Sequence, residues 1–320
     1  MKLSIIIAMY NAINTISKCI YSVINSSLSE SDYEIIVIND GSTDTSAEIV
    51  AEIQSKHDNI ILINKENGGQ STARNIGFER AKGKYIFSLD SDDYIDSDLL
   101  SDLIQYADEN NLDMVPIFFK KHKNNSICKS KDIYPLINTP MTGVEFMNKF
   151  VVSGCMWRYL YKRDIIVNNS LKLIEGVFHE DEEFVIKYMI YAKRIMYNRL
   201  PIYNYLVHDN STINKPNLEH RIRLLNDLII VITEINTLIK KHEYNHELIR
   251  GLSIKKEQLL IGIFTRIYNE MIPSTNIVEL LKKLREEEFY PLQLKYSPIK
   301  FKIAAYFFNK EWFLKIFFKN

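Results

Sequence analysis

Asp90, Ser91, Asp92 and Asp93 follow directly on the apolar run Tyr85-Ile86-Phe87-Ser88-Leu89. Such a run predicts a buried strand, which puts three carboxylates at a strand's carboxyl end. Open α/β sheets bind their ligands at that edge. Crowded carboxylates repel one another unless a cation or a donor lies among them. A hard divalent metal with oxygen ligands, bridging to phosphates, meets that demand. The chemistry on offer is that of a metal–nucleotide site. The same four residues also suit a solvated turn capping a helix that begins near Asp96, because Asp and Ser cap helices well.

Other residues fall at the same edge. The strand-like phrase from Glu34 to Asn39 runs into Asp40-Gly41-Ser42-Thr43-Asp44. Asp40 is placed to accept from the N–H of a pyrimidine base, and Gly41 permits a close turn. Ser42 or Thr43 suits the start of the next helix. Tyr10 and Asn11 lie beyond the first strand, where Tyr10 either stacks on a base or closes the strand as a partly buried aromatic. Asn67-Gly68-Gly69 precedes a helix whose free N–H groups and early Arg74 could meet a diphosphate or base. Arg74 on a solvated face is the plainer alternative.

The elements that must hold these residues read as an alternation. Strands are predicted at 3–8, 34–38, 60–63, 85–89 and 113–118, with helices over 13–24, 43–54, 72–81 and 99–107 between them. Gly83 is a fitting residue to end the third helix. Strand and helix in turn imply an α/β fold with a mostly parallel sheet covered on both faces. Residues 120–140 read as a polar, basic loop with Pro135 and Pro140. From Pro216 onward the pattern is helical, roughly over 217–242, 245–270 and 276–288. The chain divides on this reading into an alternating α/β part (1–120), a mixed part (121–215) and a helical C-terminal region (216–320).

The 320 residues allow a sizeable core, and 40 Lys plus Arg balance 40 Asp plus Glu. That balance argues against a general nucleic-acid binder. Cys19, Cys128 and Cys155 have neither a close pairing nor a metal-like spacing, which points to a reduced compartment. The apolar stretch from Leu3 to Met9 is too short for a signal-peptide core or a membrane span.

Taken together, the phrases resemble those of the family 2 inverting glycosyltransferases with a GT-A fold. They are Ser4-Ile-Ile-Ile-Ala-Met-Tyr-Asn11, Ile38-Asn-Asp-Gly-Ser-Thr-Asp44, the stretch from Asn67 to Gly77, and Gly83-Lys-Tyr-Ile-Phe-Ser-Leu-Asp-Ser-Asp-Asp-Tyr94. They stand in the family's order and spacing over the first third of the chain. Met9 departs from the pattern, since many members carry Pro before Tyr-Asn. The resemblance implies that Asp40 reads the base of a nucleotide-sugar, usually uridine. It implies that Asp90 holds the ribose or approaches the metal through water, with Ser91 beside it. Asp92 would ligate Mn²⁺ or Mg²⁺, which bridges the diphosphate.

An inverting transfer also needs a carboxylate base opposite the leaving group. The segment Glu180-Asp181-Glu182-Glu183 is the candidate, although acidic residues in a first helical turn also simply complement the dipole. The family's Glu-Asp pair implies Asp181 as base, with Glu180 as runner-up or acceptor-orienting group. Met156 to Arg163 resembles the stretch that closes over donor and acceptor. Trp157 there could stack on a sugar, with Arg158 beside it, or lie in the core. His208 resembles a tail residue near the diphosphate and is a candidate metal or phosphate ligand, or a surface histidine.

The acceptor class implied is a glycan or lipid-linked hydroxyl, as in bacterial polysaccharide assembly. The location implied is cytoplasmic. Residues 297–320, basic and aromatic, suit either the anionic inner face of a membrane or a helix pair packed on the catalytic domain or on a second subunit of a homo-oligomer. Two rival classes are a sugar-phosphate nucleotidyltransferase and a non-catalytic glycan-binding protein. The first should carry a Gly-rich, Arg-containing phosphate loop after its first strand, where this chain has Met9-Tyr10-Asn11-Ala12. Asp181 and the Asp90/Asp92 pair speak against the second.

Overall fold

The computed structural model describes residues 1–123, 126–129, 134–207, 217–310 and 313. In chain order the first elements are β1 (Leu3–Met9), α1 (Ile16–Ile24), β2 (Tyr33–Asp40), α2 (Ser46–Gln54), β3 (Ile60–Lys65), α3 (Gln70–Arg80) and β4 (Tyr85–Ser88). Then come β5 (Tyr94–Ile95), α4 (Leu100–Glu109), β6 (Met114–Pro116), β7 (Phe119–Lys123), β8 (Ser126–Lys129), α5 (Gly143–Lys149), β9 (Tyr159–Lys162) and α6 (Arg163–Asn168). The last are α7 (Glu180–Tyr191), β10 (Tyr203–Leu206), α8 (Leu218–Lys241), α9 (His246–Asn269), α10 (Ser274–Glu286) and α11 (Ile299–Phe308).

The main sheet has six strands in the order β3-β2-β1-β4-β9-β6. β1 pairs in parallel with β2 and with β4, and β2 with β3. β9 enters antiparallel between β4 and β6. β1 and β2 are buried along almost their whole length and mostly apolar because both faces are covered, as in parallel sheets generally. Leu3, Ile5 and Ile7 join a core with α1, α2 and α4, and Gly77 of α3 faces Ile6 and Ile38 on the other side. α1 buries Ile16, Cys19, Ile20 and Val23, and α4 buries Leu100, Leu103, Ile104 and Ala107. That spacing is one stripe of a 3.6-residue helix.

A second sheet has the order β5-β10-β7-β8. Its β7 and β8 occupy part of the stretch that the sequence suggests is a loop. Phe119, Lys120, Lys121, His122 and Lys123 lack apolar alternation because β7 is stabilised through its backbone, pairing with β10 from Tyr203↔Phe119 to Leu206↔His122.

Two local expectations are also corrected. Gly83 is no left-handed cap for α3: a Cβ there would collide with the backbone of Leu3 and Ser4, so close passage over β1 demands glycine. α2 starts at Ser46, whose N–H donates to Asp44 Oδ1 at 3.0 Å, so Ser42 and Thr43 lie outside the helix.

Contacts divide the chain into two units. Met1–Gly143, Ser153–Gly176 and Phe184–Asp209 form the first, with both sheets. Val144–Val152, Val177–Glu183 and Asn210–Asn320 form the second. In the second, α8 and α9 pair along their length. Both carry asparagine N-caps: Asn217 Oδ1 accepts from Glu219 N, and Asn245 Oδ1 from Leu248 N. No described helix is long and apolar enough to cross a membrane.

Candidate active site

β1, β2 and β4 run parallel and end together at one edge of the first unit. Three loops follow there, and side chains tie the first to the second. Asn11 adopts a left-handed backbone (φ 50°), which Asn tolerates better than most residues. Its amide donates to Ser42 Oγ at 3.0 Å, and its Oδ1 accepts from Thr43 N at 2.8 Å. Tyr10 beside it is 52% exposed, leaving its ring open to a planar ligand.

Asp40 is buried in the second loop. Its Oδ1 accepts from Lys65 Nζ at 2.5 Å and from Gly68 N at 2.9 Å. Its Oδ2 accepts from Gly69 N at 2.8 Å and from Asn67 Nδ2 at 3.3 Å. A carboxylate offers about four lone-pair sites, so these donors nearly saturate it. A base that binds Asp40 would have to displace or share one of them. Gly41 has φ +72°, and a Cβ on it would stand 2.7 Å from Asn67 N, so both backbone shape and space select glycine.

The third loop carries the acidic cluster. Ligand oxygens of Asp90, Asp92 and Asp93 lie within 4.8 Å of one another. Asp92 is exposed, Asp90 half-buried and Asp93 buried. The buried Arg74, in the second turn of α3, donates from Nη2 to Asp90 Oδ1 at 2.8 Å. Thus Arg74 faces the cluster and not open solvent. Asp93 is held from β10: Tyr203 Oη donates to its Oδ2 and Leu206 N to its Oδ1, each at 2.7 Å. Asp90 N also donates to Tyr203 Oη at 3.3 Å. Burial, followed by the charge of Asp90, pushes the Asp93 carboxyl up to about 8. The donors are all hard oxygens, as a Mn²⁺ or Mg²⁺ site requires. Asp92 and Asp90 are the accessible carboxylates of the cluster, and Asp93 anchors the turn from behind.

Trp157 is only 9% exposed and stacks on Tyr203 (4.3 Å between ring centres) and Tyr205 (5.6 Å). The Arg158 guanidinium is also buried and lies 4.7 Å over the Phe119 ring. The structure therefore places both residues inside the protein, with Trp157 packed beneath the acidic turn's Tyr203. An open groove of about 720 Å³, lined by Lys18, Tyr21, Tyr94 and Asp96 among others, shares no lining residue with the aspartate cluster. His208 lies outside the described residues.

In the second unit, Glu180 is buried and Asp181 half-buried at the start of α7. Asp181 Oδ1 accepts from Glu182 N at 3.0 Å. Negative charge is favoured at a helix N-terminus. Glu182 pairs with the buried Lys255, which also donates to Val152 O at 2.8 Å. His179 precedes the helix with φ 66°. Burial first, and then the Arg266 charge, hold its imidazole down at about 4.

Residues 4–166, just over half of the chain, match the model described as Glycosyl transferase family 2. The chain belongs to this family. YibD of Escherichia coli, described as an uncharacterized glycosyltransferase, is 32% identical over 66% of this chain and 62% of its own length. Two solved structures share the fold. Staphylococcus aureus TarS 1–349 in complex with UDP-GlcNAc aligns with TM-score 0.65 and 20% identity, covering 99% of this chain and 82% of that one. The Pyrobaculum calidifontis mannosyltransferase PcManGT in complex with GDP-Man and Mn²⁺ aligns with TM-score 0.56 and 13% identity, covering 96% and 86%. The fold is of the GT-A type expected of a family 2 chain.

Three residues of the site carry weight that sequence reasoning passed over. Lys65 fell two residues beyond the strand predicted at 60–63, yet it is the cross-strand partner of Asp40. Asp93 reads as one more acid of the cluster. Tyr203 sits 110 positions from Asp93, and no local pattern could have joined them.

Proposed function

We propose that this family 2 chain is a metal-dependent inverting glycosyltransferase that moves a sugar from a nucleotide-diphosphate donor, most simply a UDP-sugar, to a hydroxyl of a glycan or lipid-linked glycan. The observation that carries the reading is the Asp90/Asp92 pair at the carboxyl edge of the parallel sheet, with Arg74 buried beside it. TarS, which shares the fold, was crystallised with UDP-GlcNAc, and PcManGT with GDP-Man and Mn²⁺.

Residues 1–120 would hold the donor: Tyr10 and Asp40 at the base, Asp90 near the ribose, Arg74 near the diphosphate. Asp92 and Asp90 would hold Mn²⁺ or Mg²⁺, which when bound offsets charge on the leaving diphosphate. Residues 121–215 would serve the acceptor. Asp181 takes the proton from the acceptor hydroxyl as that oxygen bonds to the anomeric carbon. The bond from that carbon to the diphosphate oxygen breaks on the opposite side, which inverts the configuration. Glu180 orients the acceptor.

The test is a thermal-shift screen of UDP-, GDP- and dTDP-sugars with and without Mn²⁺, followed by turnover with the donor that stabilises, since ligand binding raises stability by mass action. A donor should stabilise the wild type only with metal, and Asp92→Ala should lose both that shift and turnover while melting normally without ligand. Full metal-dependent turnover by Asp92→Ala would sink the assignment.

A further inference from the structure

The last helix of the second unit among the described residues, α11, is apolar on two sides. α11 seats one side on its own unit: Ala305 is buried, and Phe308 stacks on Phe264 of α9 with ring centres 5.0 Å apart. Its mounting is polar and well tied. Buried Glu257 of α9 accepts from the amides of Lys295, Tyr296 and Ser297 just before the helix. Tyr290 Oη donates to Phe308 O at 2.9 Å, and the Asn309 side chain exchanges two bonds with Leu292.

The opposite side faces outward. Ile299, Ile303, Tyr306 and Phe307 are 72%, 53%, 61% and 37% exposed. They fall at i, i+4, i+7 and i+8, a single stripe along the helix. Lys300 stands on one margin, 4.8 Å over the Phe301 ring, and Lys310 lies 4.9 Å over the Tyr306 ring, while Lys302 on the other margin donates from Nζ to Lys295 O at 2.7 Å. Charge is concentrated here as well. Residues 295–320 hold six lysines and one glutamate, a net of +5 in a chain that balances at 40 cations and 40 anions. The other 294 residues therefore carry −5.

We infer that α11 docks the protein on an anionic lipid surface, with Ile299, Ile303, Tyr306 and Phe307 entering the headgroup–acyl boundary. An apolar stripe with lysines along its edges matches that boundary in both polarity and charge: the stripe meets acyl carbon while the ammonium groups meet phosphate. The charge split orients the molecule, since the rest of the chain is repelled by the same surface. The inference does not depend on which sugar is moved.

The experiment is co-sedimentation of the full chain with vesicles of phosphatidylcholine alone or with phosphatidylglycerol. The full chain should bind the anionic vesicles, bind neutral ones weakly, and lose binding in high salt as the lysines are screened. Ile303→Asp/Tyr306→Asp should reduce partitioning by at least roughly tenfold. Lys300→Ala and Lys310→Ala should each cost roughly fivefold. Both positions of the double variant are exposed, so its melting temperature should match that of the wild type. The inference is overturned if the full chain ignores anionic vesicles, or if a normally melting double variant binds them as well as wild type. It is equally overturned if sedimentation velocity shows a dimer that the double variant abolishes while vesicles leave the protein in solution, which would make the stripe a self-association face.

Discussion

The Tyr203 hydroxyl donates to Asp93 Oδ2 at 2.7 Å and accepts from Asp90 N at 3.3 Å, so one phenol on β10 closes the turn that carries the acidic cluster. Tyr203→Phe removes that clamp and leaves the ring stack on Trp157 in place. A buried carboxylate that loses a donor costs about 1–3 kcal/mol, which should appear as a lower melting temperature. Metal affinity should fall roughly tenfold, about 1.4 kcal/mol. Metal titrations followed by thermal shift measure both; unchanged metal affinity would show that β10 supports the fold without positioning the site.

Asp40→Asn tests the second loop. An amide can accept through one oxygen only, so Gly68 N, Gly69 N and Lys65 Nζ cannot all keep their partner. The variant should melt lower, by an amount equivalent to about 1–3 kcal/mol, and should bind nucleotide more weakly. If nucleotide binding is kept while stability falls, Asp40 shapes the loop and does not read the base.

Asp181→Asn keeps the size of the side chain and removes its capacity to take a proton. Turnover should drop by roughly a hundred- to ten-thousand-fold, the usual loss for a general base. Donor affinity, measured by calorimetry, should stay close to wild type. A dead Glu180→Gln beside an active Asp181→Asn would exchange the two roles.

His179 gives the second unit a pH dependence. Its folded value, about 4, lies below the ordinary 6.5, so the native state prefers the neutral ring. Its contribution is complete above about pH 6.5 and is lost progressively as pH falls toward 4, by roughly 3 kcal/mol in all. Denaturant midpoints of wild type and His179→Gln should converge across that window on acidification. Parallel curves would mean that the ring is protonated without cost.

Much of this architecture was legible in the sequence because a parallel sheet buried on both faces leaves continuous apolar strands. β1, β2 and β4 could be placed from their apolar runs, and the acidic turns after β2 and β4 follow from the topology. What stayed hidden depends on distant partners. β7 reads as a polar loop because backbone pairing with β10, and no burial pattern, makes it a strand. Trp157 was open to two readings, since a lone aromatic carries no periodicity to say whether it faces a ligand or Tyr203. Asp40 looked like an available acceptor because nothing local announces that Lys65 and two glycine amides will reach it.

The placement of β9 has a consequence for how the molecule is made. A nascent chain synthesised as far as Lys129 already contains β1 to β4 in their final parallel order. Its β4 edge is still open, and β6 has no strand to join it to the rest. Only when Tyr159–Lys162 leaves the ribosome can the edge close, and the lock on Asp93 waits for Tyr203, later still. An open edge is where unfinished sheets pair wrongly. The strand that precedes the aspartates thus lacks its second partner until β9 is made, and the turn behind it is locked only after β10.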